Sequence, residues 1–303
     1  MRKLFIIIAA FLIAGPAVAQ DRDTLGFGRL FTNDYFGDGE DRWRTGSYSF
    51  SIVQGSPWSG AAPEGFGAIL EYRLRSEIIA PSALNGDGSD DRAYVGAITT
   101  GIHSHMSRGN WDLSAGLDLV FTGPQTGTAD TQDWFHNLVG APAVGTAVQQ
   151  NQIGNAVYPT LVAEAAYAVP MSATTTLRPF AELQYGVEDF VRVGADVLIG
   201  QVLQSDLWLR DGPSGQLYSG IYGGEIGTGF VLGADYTLVE DSAYFPASFG
   251  TDATDDRLRV RGGIHSRFAT GSSFFYGLTY LSEEYEGQDE GQLVGSLKLN
   301  FNF

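Results

Sequence analysis

The sequence of 303 residues contains no cysteine, so no disulfide can hold its fold together. Beyond residue 19 it has no apolar run of the about 18–20 residues that a transmembrane helix needs. Basic residues are few, since 18 Lys and Arg stand against 35 Asp and Glu, and the net charge is −17 at pH 7. Such an acidic chain is not expected to bind nucleic acid. The fold must therefore depend on a packed core or on hydrogen bonds between strands.

Residues 1–19 have the pattern of a secretory signal. A charged start, Arg2 and Lys3, precedes an apolar segment, and the small residues before Gln20 form a cleavage site. We therefore expect a signal peptide at 1–19 and one mature domain at 20–303. A retained N-terminal anchor is the alternative, although the apolar segment is short for crossing a membrane.

Glycine and aromatic residues are abundant, with 40 glycines and 13% aromatics. In an exported chain without membrane helices, this composition predicts an outer-membrane β-barrel. The clearest strand is 291–303, where apolar and polar residues alternate with one face toward lipid and one toward a hydrated interior. The soluble alternative is an edge strand of a β-sandwich, which the polar inner face disfavours. The predicted outward set is Leu293, Leu297, Leu299, Phe301 and Phe303.

The same alternation along the chain predicts an all-β fold, a transmembrane antiparallel β-barrel of about twelve strands. Both termini of an even-stranded barrel lie on the periplasmic side, and connections from odd to even strands face outward. The third outward connection, 122–157, is the longest. Residues 200–225, rich in Gly and Ser, are assigned no structure. The predicted strands are 24–33, 45–53, 67–76, 92–104, 111–121, 158–169, 175–187, 190–199, 226–239, 256–266, 272–281 and 291–303.

A short helix is predicted over 130–139, within this third outward loop. Asp130 or Thr131 is its expected N-cap, Gly140 fits the position just past its end, and Pro142 prevents continuation. The loop therefore differs from the rest of the chain, which alternates as strands do.

Gln132 and His136 share one face of this helix because they are four residues apart. An imidazole can take a proton from water that then attacks an ester. The amide of Gln132 can orient a ring nitrogen or polarise a carbonyl. A surface helix with an incidental histidine is the alternative.

Asn33 and Asp34 end the first predicted strand, and Thr45 begins the second at the same rim of the barrel. Amide and carboxylate oxygens suit a hard cation such as calcium. Ordinary turn chemistry at a strand end is the competing interpretation.

Two other groups have weaker patterns. His103 and His105 share a strand face, but no third ligand accompanies them, so a metal site is disfavoured. The acidic stretch 85–91 lacks the spacing of a calcium loop and is better explained as a solvated loop. No serine has the local signature of a hydrolase nucleophile.

Three segments, 31–50, 90–96 and 123–142, together resemble the outer-membrane lipid A 3′-O-deacylase family. They contain an N-D pair on the first strand and a Thr that opens the second. They also contain a D-R-x-[YF]-x-[GA]-like element and a G-P…Q-x-x-x-H…G motif in the third outer loop. The order and spacing of these elements match over roughly the N-terminal half of the chain.

The resemblance implies a bacterial outer-membrane enzyme that removes the 3′-linked acyl chain(s) of lipid A in a calcium-dependent reaction. It implies that His136 is the general base, that Gln132 positions it or the substrate, and that Thr45 lines the site. Asn33 and Asp34 would lie at the Ca²⁺ ion. The implied partners are lipopolysaccharide and outer-membrane lipids, and the chain is expected to be a monomer.

Two family positions differ in this sequence. The family has a Lys in its second outer loop, which is absent here, and Arg92 or Arg44 is a candidate substitute. Where the family has a Glu after the His, this chain has Ala141-Pro142. These differences leave open a non-enzymatic outer-membrane barrel, either porin-like, structural or inactive. A barrel phospholipase with a Ser–His pair is a third hypothesis.

Overall fold

The computed structural model describes residues 22–85 and 91–301, so the predicted signal peptide and Phe303 lie outside the described part. More than half of the described chain is strand. The strands are β1 (Asp23–Asn33), β2 (Trp43–Gly55), β3 (Ile69–Ala80), β4 (Val95–Arg108), β5 (Trp111–Thr122), β6 (Ala156–Tyr167), β7 (Val169–Ser172), β8 (Thr175–Tyr185), β9 (Glu188–Ile199), β10 (Leu207–Arg210), β11 (Leu217–Ile221), β12 (Gly227–Ser242), β13 (Asp256–Arg267), β14 (Ser273–Leu281) and β15 (Gln292–Asn300).

Twelve of these strands form a closed antiparallel barrel, which confirms the predicted fold class. Strand β15 pairs with β1, with Phe31 opposite Leu297, and β6 pairs with β8, with Leu161 opposite Tyr185. Between these closures β9 pairs directly with β12, so the barrel excludes β10 and β11. Because the strand number is even, both ends of the barrel domain lie at one rim, here called the terminal rim. The opposite one is the loop rim.

Alternation along each strand separates a polar lumen from an apolar outer wall. On β2, Ser49 and Ser51 are buried while Tyr48 between its serine neighbours is 43% exposed. Within the lumen, charges are paired across strands: the Arg259 guanidinium binds Asp235 at 2.8 Å and the Arg261 guanidinium binds Asp196 at 2.5 Å. Cross-strand pairing is what makes the burial of these charges tolerable. No helix in the described ranges is long and apolar enough to cross a membrane.

Residues 200–225, which were assigned no structure, enter the lumen from the terminal rim. Strands β10 and β11 pair as a hairpin, and every residue of β11 is buried. The Arg210 guanidinium binds Glu164 at 2.6 Å and Asp196 at 2.9 Å, and Asp211 accepts a hydrogen bond from Ser49 at 2.7 Å. The connection is long because it fills the barrel, which period-two alternation could not reveal.

The third long loop contains helix α1 (Thr128–Val139) and a short helix α2 (Thr146–Gln150). The predicted helix is present, and Gly140 ends it in the left-handed conformation, as expected. The predicted N-caps were wrong, because Gly127 occupies that position and α1 begins two residues before Asp130. A tight turn over Pro124–Thr126 leads into the helix and sets its start.

Candidate functional site at the loop rim

Asn33 joins the end of β1 to the start of β2. Its side-chain Nδ2 donates to the carbonyl oxygen of Thr45 at 2.5 Å, and its Oδ1 accepts from the backbone N–H of Tyr35 at 2.9 Å. The amide therefore caps the turn that follows β1 and holds Thr45 beside it. Asn33 thus both forms an ordinary turn at the end of the strand and lies beside Thr45.

Asp34 is a buried carboxylate, 1% exposed, at this turn. Its Oδ2 accepts from the backbone N–H of Arg42 at 2.8 Å and from Gln292 Nε2 at 3.4 Å. Its Oδ1 lies 3.2 Å from the Thr45 hydroxyl. Burial raises the pKa of Asp34 to about 8, and the negative charge of Asp41 adds to the increase, although the hydrogen bond from Arg42 opposes it.

Asp41, which the sequence did not single out, brings the predicted residues together. Its Oδ1 accepts from the Thr45 hydroxyl at 2.6 Å and lies 3.4 Å from Gln132 Nε2. Its Oδ2 lies 3.2 Å from His136 Nε2. The position of Asp41, four residues before Thr45 in a predicted outer loop, was the available signal. Its role depends on the docking of a helix from another loop, which sequence spacing does not contain.

His136 has acceptors at both ring nitrogens. Its Nδ1 lies 2.6 Å from the carbonyl oxygen of Pro142, which can only accept, so Nδ1 carries a proton. Its Nε2 faces Asp41. In the neutral ring the lone pair is then on Nε2, the nitrogen that points into the site.

Helix α1 packs its polar face onto the barrel. Thr128, Gln132 and His136 are buried, and the Tyr94 hydroxyl donates to Gln132 Oε1 at 3.0 Å. Gly96 on β4 permits this approach, because a Cβ there would clash with the Thr128 hydroxyl. The helix is thus held from the side that bears the candidate catalytic residues.

The opposite face of α1 is apolar and exposed. Trp134 is 65% exposed and Leu138 is 68% exposed, and Phe135 and Val139 lie beside them. Tyr35, in the turn after β1, is also exposed. A polar face turned inward and an apolar face turned outward suit contact with lipid rather than with water.

The oxygen atoms around Asp34 fit a hard cation. Thr45 has one hydroxyl proton but two carboxylate neighbours, and Asp41 is the closer, so Asp34 Oδ1 lacks a donor of its own unless Asp34 itself is protonated. In residues 22–85 and 91–301 no group of three His, Asp or Glu side chains is arranged to hold a metal. A calcium ion here would therefore have to use amide, hydroxyl or water oxygens beside the carboxylate.

The two candidate substitutes for the family lysine are engaged in the lumen. The Arg44 guanidinium binds Glu284 at 2.5 Å and also pairs with Glu77. The fully buried Arg92 binds Glu284 at 2.8 Å and stacks 4.4 Å from the ring centroid of Phe245. Both arginines therefore neutralise the same glutamate below the site.

The other histidine pair is structural. His103 Nε2 lies 2.7 Å from Asp118, and His105 Nε2 lies 2.9 Å from Glu71, so each ring has a separate carboxylate partner in the lumen. Of the acidic stretch 85–91, residues 86–90 lie outside the described part of the chain.

A family model described as outer membrane protein LpxR matches residues 4–303. Among solved structures, LpxR from Salmonella typhimurium has a TM-score of 0.73 and 18% identity, over 91% of this chain and 100% of that chain. The translocator domain of the autotransporter NalP from Neisseria meningitidis has a TM-score of 0.44 and 10% identity, over 100% of this chain and 96% of that chain. No curated protein matches the sequence. The chain belongs to the LpxR family of outer-membrane proteins.

Proposed function

We propose that this outer-membrane barrel is an esterase that hydrolyses the 3′-linked acyl chain(s) of lipid A, using water activated by His136 and a divalent cation. The observation that carries the proposal is the convergence on Asp41 of Thr45, from β2, and of Gln132 and His136, from helix α1 of the third long loop. The family resemblance supplies the substrate, and the loop rim supplies the location.

The loop rim is the extracellular side in this proposal. Most of the long connections lie there, apart from the β2–β3 connection and the segment between β9 and β12 that fills the lumen. An outer-membrane barrel has its short turns and both termini on the periplasmic side. Lipid A forms the outer leaflet, so its ester groups would lie near the level of α1. The exposed apolar face of α1, with Trp134 and Leu138, offers a surface for acyl chains.

The proposed reaction begins at His136. The Nδ1–H bond to Pro142 leaves the lone pair on Nε2, which takes a proton from water as that water attacks the ester carbonyl. Tyr94 donates to Gln132 Oε1 and so directs the Gln132 NH₂ group into the site, where it can donate to the carbonyl oxygen. Thr45 lines the same space.

The residues that would hold the cation are Asp34 and Asn33. Asp34 offers a buried carboxylate oxygen, and Asn33 offers the second lone pair of an amide oxygen that already accepts from Tyr35. A bound calcium ion would supply Lewis-acid polarisation of the ester carbonyl. Three contacts in series, Asp34–Thr45, Thr45–Asp41 and Asp41–His136, would connect the bound charge with the general base.

The test is mass spectrometry of lipid A from cells that express the wild type or His136→Ala. The wild type should convert lipid A to a species lacking the 3′-linked acyl group, and His136→Ala should lower conversion by at least about 100-fold. His105→Ala is a matched control, because it has the same exposure as His136 but lies in the lumen beside Glu71. Unchanged lipid A with folded wild-type protein would refute the proposal.

A further inference from the structure

Asp41 also contacts the His136 ring nitrogen that acts in the proposed reaction. We propose that Asp41 is a positioning residue that holds His136 in its protonated form during the reaction. This inference rests on the proposed function, since it assigns a role to Asp41 within that hydrolysis. Three observations support it: the hydrogen-bond acceptors around the His136 ring, the contacts that fix Asp41, and the ion pair between Asp41 and His136.

The contact between His136 and Asp41 becomes a hydrogen bond only during the reaction. A neutral imidazole has a single N–H, and Pro142 already accepts it at 2.6 Å. The second acceptor, Asp41 Oδ2 at 3.2 Å from Nε2, gains a donor when Nε2 takes a proton from water. An interaction that forms as the proton is transferred, and is absent before it, accelerates the reaction.

The steps balance without any further reactant. Nε2 of His136 takes a proton from water, and the remaining hydroxide oxygen forms a bond to the ester carbonyl carbon. The bond between that carbonyl carbon and the sugar oxygen then breaks, and the departing sugar alkoxide takes the proton back from Nε2. The products are a fatty acid and a free hydroxyl on lipid A. Asp41 remains a carboxylate throughout and accepts a hydrogen bond from Nε2–H between the two transfers.

Asp41 is held in place by more contacts than a surface loop requires. Thr45 donates to its Oδ1 at 2.6 Å, and Gln132 Nε2 lies 3.4 Å away. The following backbone is fixed as well, because the Arg42 carbonyl accepts from Gln292 at 2.7 Å. Next to it, Trp43 is buried with a φ of 48°, a strained value for a residue with a side chain. Contacts on both sides therefore keep this turn in one conformation.

The ionic contacts of Asp41 point to His136 as well. Among the described residues, its ion pair is with His136, whereas the neighbouring Arg42 binds Glu290 at 2.9 Å. The Asp41 side chain is 33% exposed, so water can approach the Nε2–Asp41 contact. A carboxylate that only stabilised the loop would be expected to pair with the adjacent arginine instead.

The experiment measures kcat and KM for 3′-deacylation of lipid A in detergent micelles, for the full-length purified barrel. The variants are Asp41→Asn and Asp41→Glu, each also made in the His136→Ala background. Asp41→Asn should lower kcat about 30- to 100-fold with KM changed less than about threefold, because the contact matters most after proton transfer. Asp41→Glu should recover at least about tenfold of that loss. In the His136→Ala background, Asp41→Asn should cause no further loss.

Glu40→Gln is the matched control, since it removes an exposed carboxylate from the adjacent position and should leave kcat unchanged. Folding is checked by the shift in gel mobility between heated and unheated samples. Wild-type kcat in Asp41→Asn, a loss confined to KM, or an additional loss in the His136→Ala background would each refute the role of Asp41. If Asp41→Asn fails to fold, the same criteria apply to Asp41→Ala. An inactive wild type would instead refute the proposed function, and this role with it.

Discussion

At the scale of single residues, the number of protons shared among Asp34, Thr45 and Asp41 decides which oxygen atoms of the site are hydrogen-bonded. Its hydroxyl lies between Asp41 and Asp34 and has one proton to donate. If Asp34 keeps a proton, Asp34 can donate to Thr45, and Thr45 can donate to Asp41, so that each oxygen contact contains a hydrogen. The raised pKa of Asp34 has this consequence: the Asp34 carboxyl is neutral without a cation, and it releases a proton when a cation binds.

The raised pKa of Asp34 predicts a specific pH dependence of stability. Burial lifts this pKa from 3.8 to about 8, so the folded state binds the proton more tightly than the unfolded state. The stabilisation is complete below pH 4 and is lost as the pH rises through about 8, a difference of about 6 kcal/mol at most. Asp34→Asn does not titrate and should lack this loss.

The measurement is urea unfolding of the barrel in phospholipid vesicles with EDTA, at several pH values from 4 to 9. The quantity to compare is the difference in the free energy of unfolding between wild type and Asp34→Asn, because other titrating groups cancel in it. That difference should shift in favour of Asp34→Asn as the pH rises. A difference independent of pH would contradict the assignment.

At the scale of elements, α1 has its apolar residues outside and its polar residues inside, the reverse of a helix on a water-soluble protein. The inward face is held by Tyr94 and by the close approach at Gly96. A second anchor is Asp133, which accepts from the backbone N–H of Val144 at 2.7 Å and so folds the end of the loop back onto the helix. The candidate base is therefore positioned by contacts of its helix with β4 and with its own loop.

Gly96→Ala is predicted to displace α1 without unfolding the barrel. The added Cβ would overlap the Thr128 hydroxyl and lie 2.7 Å from the Thr126 hydroxyl, so the start of the helix must move. We expect deacylation to fall at least about tenfold, because a displacement of 1 Å can cost that much, and protease cleavage in the third long loop to increase. Gly154→Ala is the control, since no atom lies within 4 Å of its added Cβ. Equal activity and protection in both variants would contradict this view of helix docking.

At the scale of the whole molecule, the β10–β11 hairpin occupies the lumen of the barrel. The β10–β11 hairpin reaches barrel strands on several sides: Gln216 donates to the carbonyl of Leu278 at 3.0 Å, and Arg259 donates to the carbonyl of Gly212 at 2.6 Å. On another side, a Cβ at Gly28 would meet the ring of Tyr218. This occupancy disfavours the porin-like hypothesis, since ions would have to pass through space that the hairpin fills.

Replacing residues 206–222 by a short Gly-Ser linker is predicted to convert the barrel into a pore. The wild type should show no regular conductance steps in planar bilayers, and the shortened variant should show them, because a polar lumen without its hairpin fills with water. A variant with Gly-Ser at 223–226 alone keeps the hairpin and serves as the control. Steps of equal size in wild type and deletion would contradict the prediction.

The barrel strands could be predicted from the sequence because the alternation of apolar and polar residues is a local pattern within each strand. All twelve barrel strands were predicted within a few residues, since lipid on one side and a polar lumen on the other impose alternation on each strand separately. The helix of the third loop was also predictable, from its glycine and proline and from helical spacing. Strand parity then assigned Asn33, Asp34, Thr45, Gln132 and His136 to one rim.

Other features depended on contacts between distant parts of the chain. Helical spacing alone favoured an incidental histidine for His136, and its partner Asp41 lies 95 residues away in another loop. Every residue of β11 in the lumen hairpin is buried, so this strand has no buried and exposed faces for alternation to detect. The alternation of apolar and polar residues in the sequence thus determined the strands of the barrel, because each strand has lipid on one side and the polar lumen on the other. Tertiary structure decided what fills the lumen and which carboxylate meets the imidazole, because those contacts depend on how the loops fold back onto the wall.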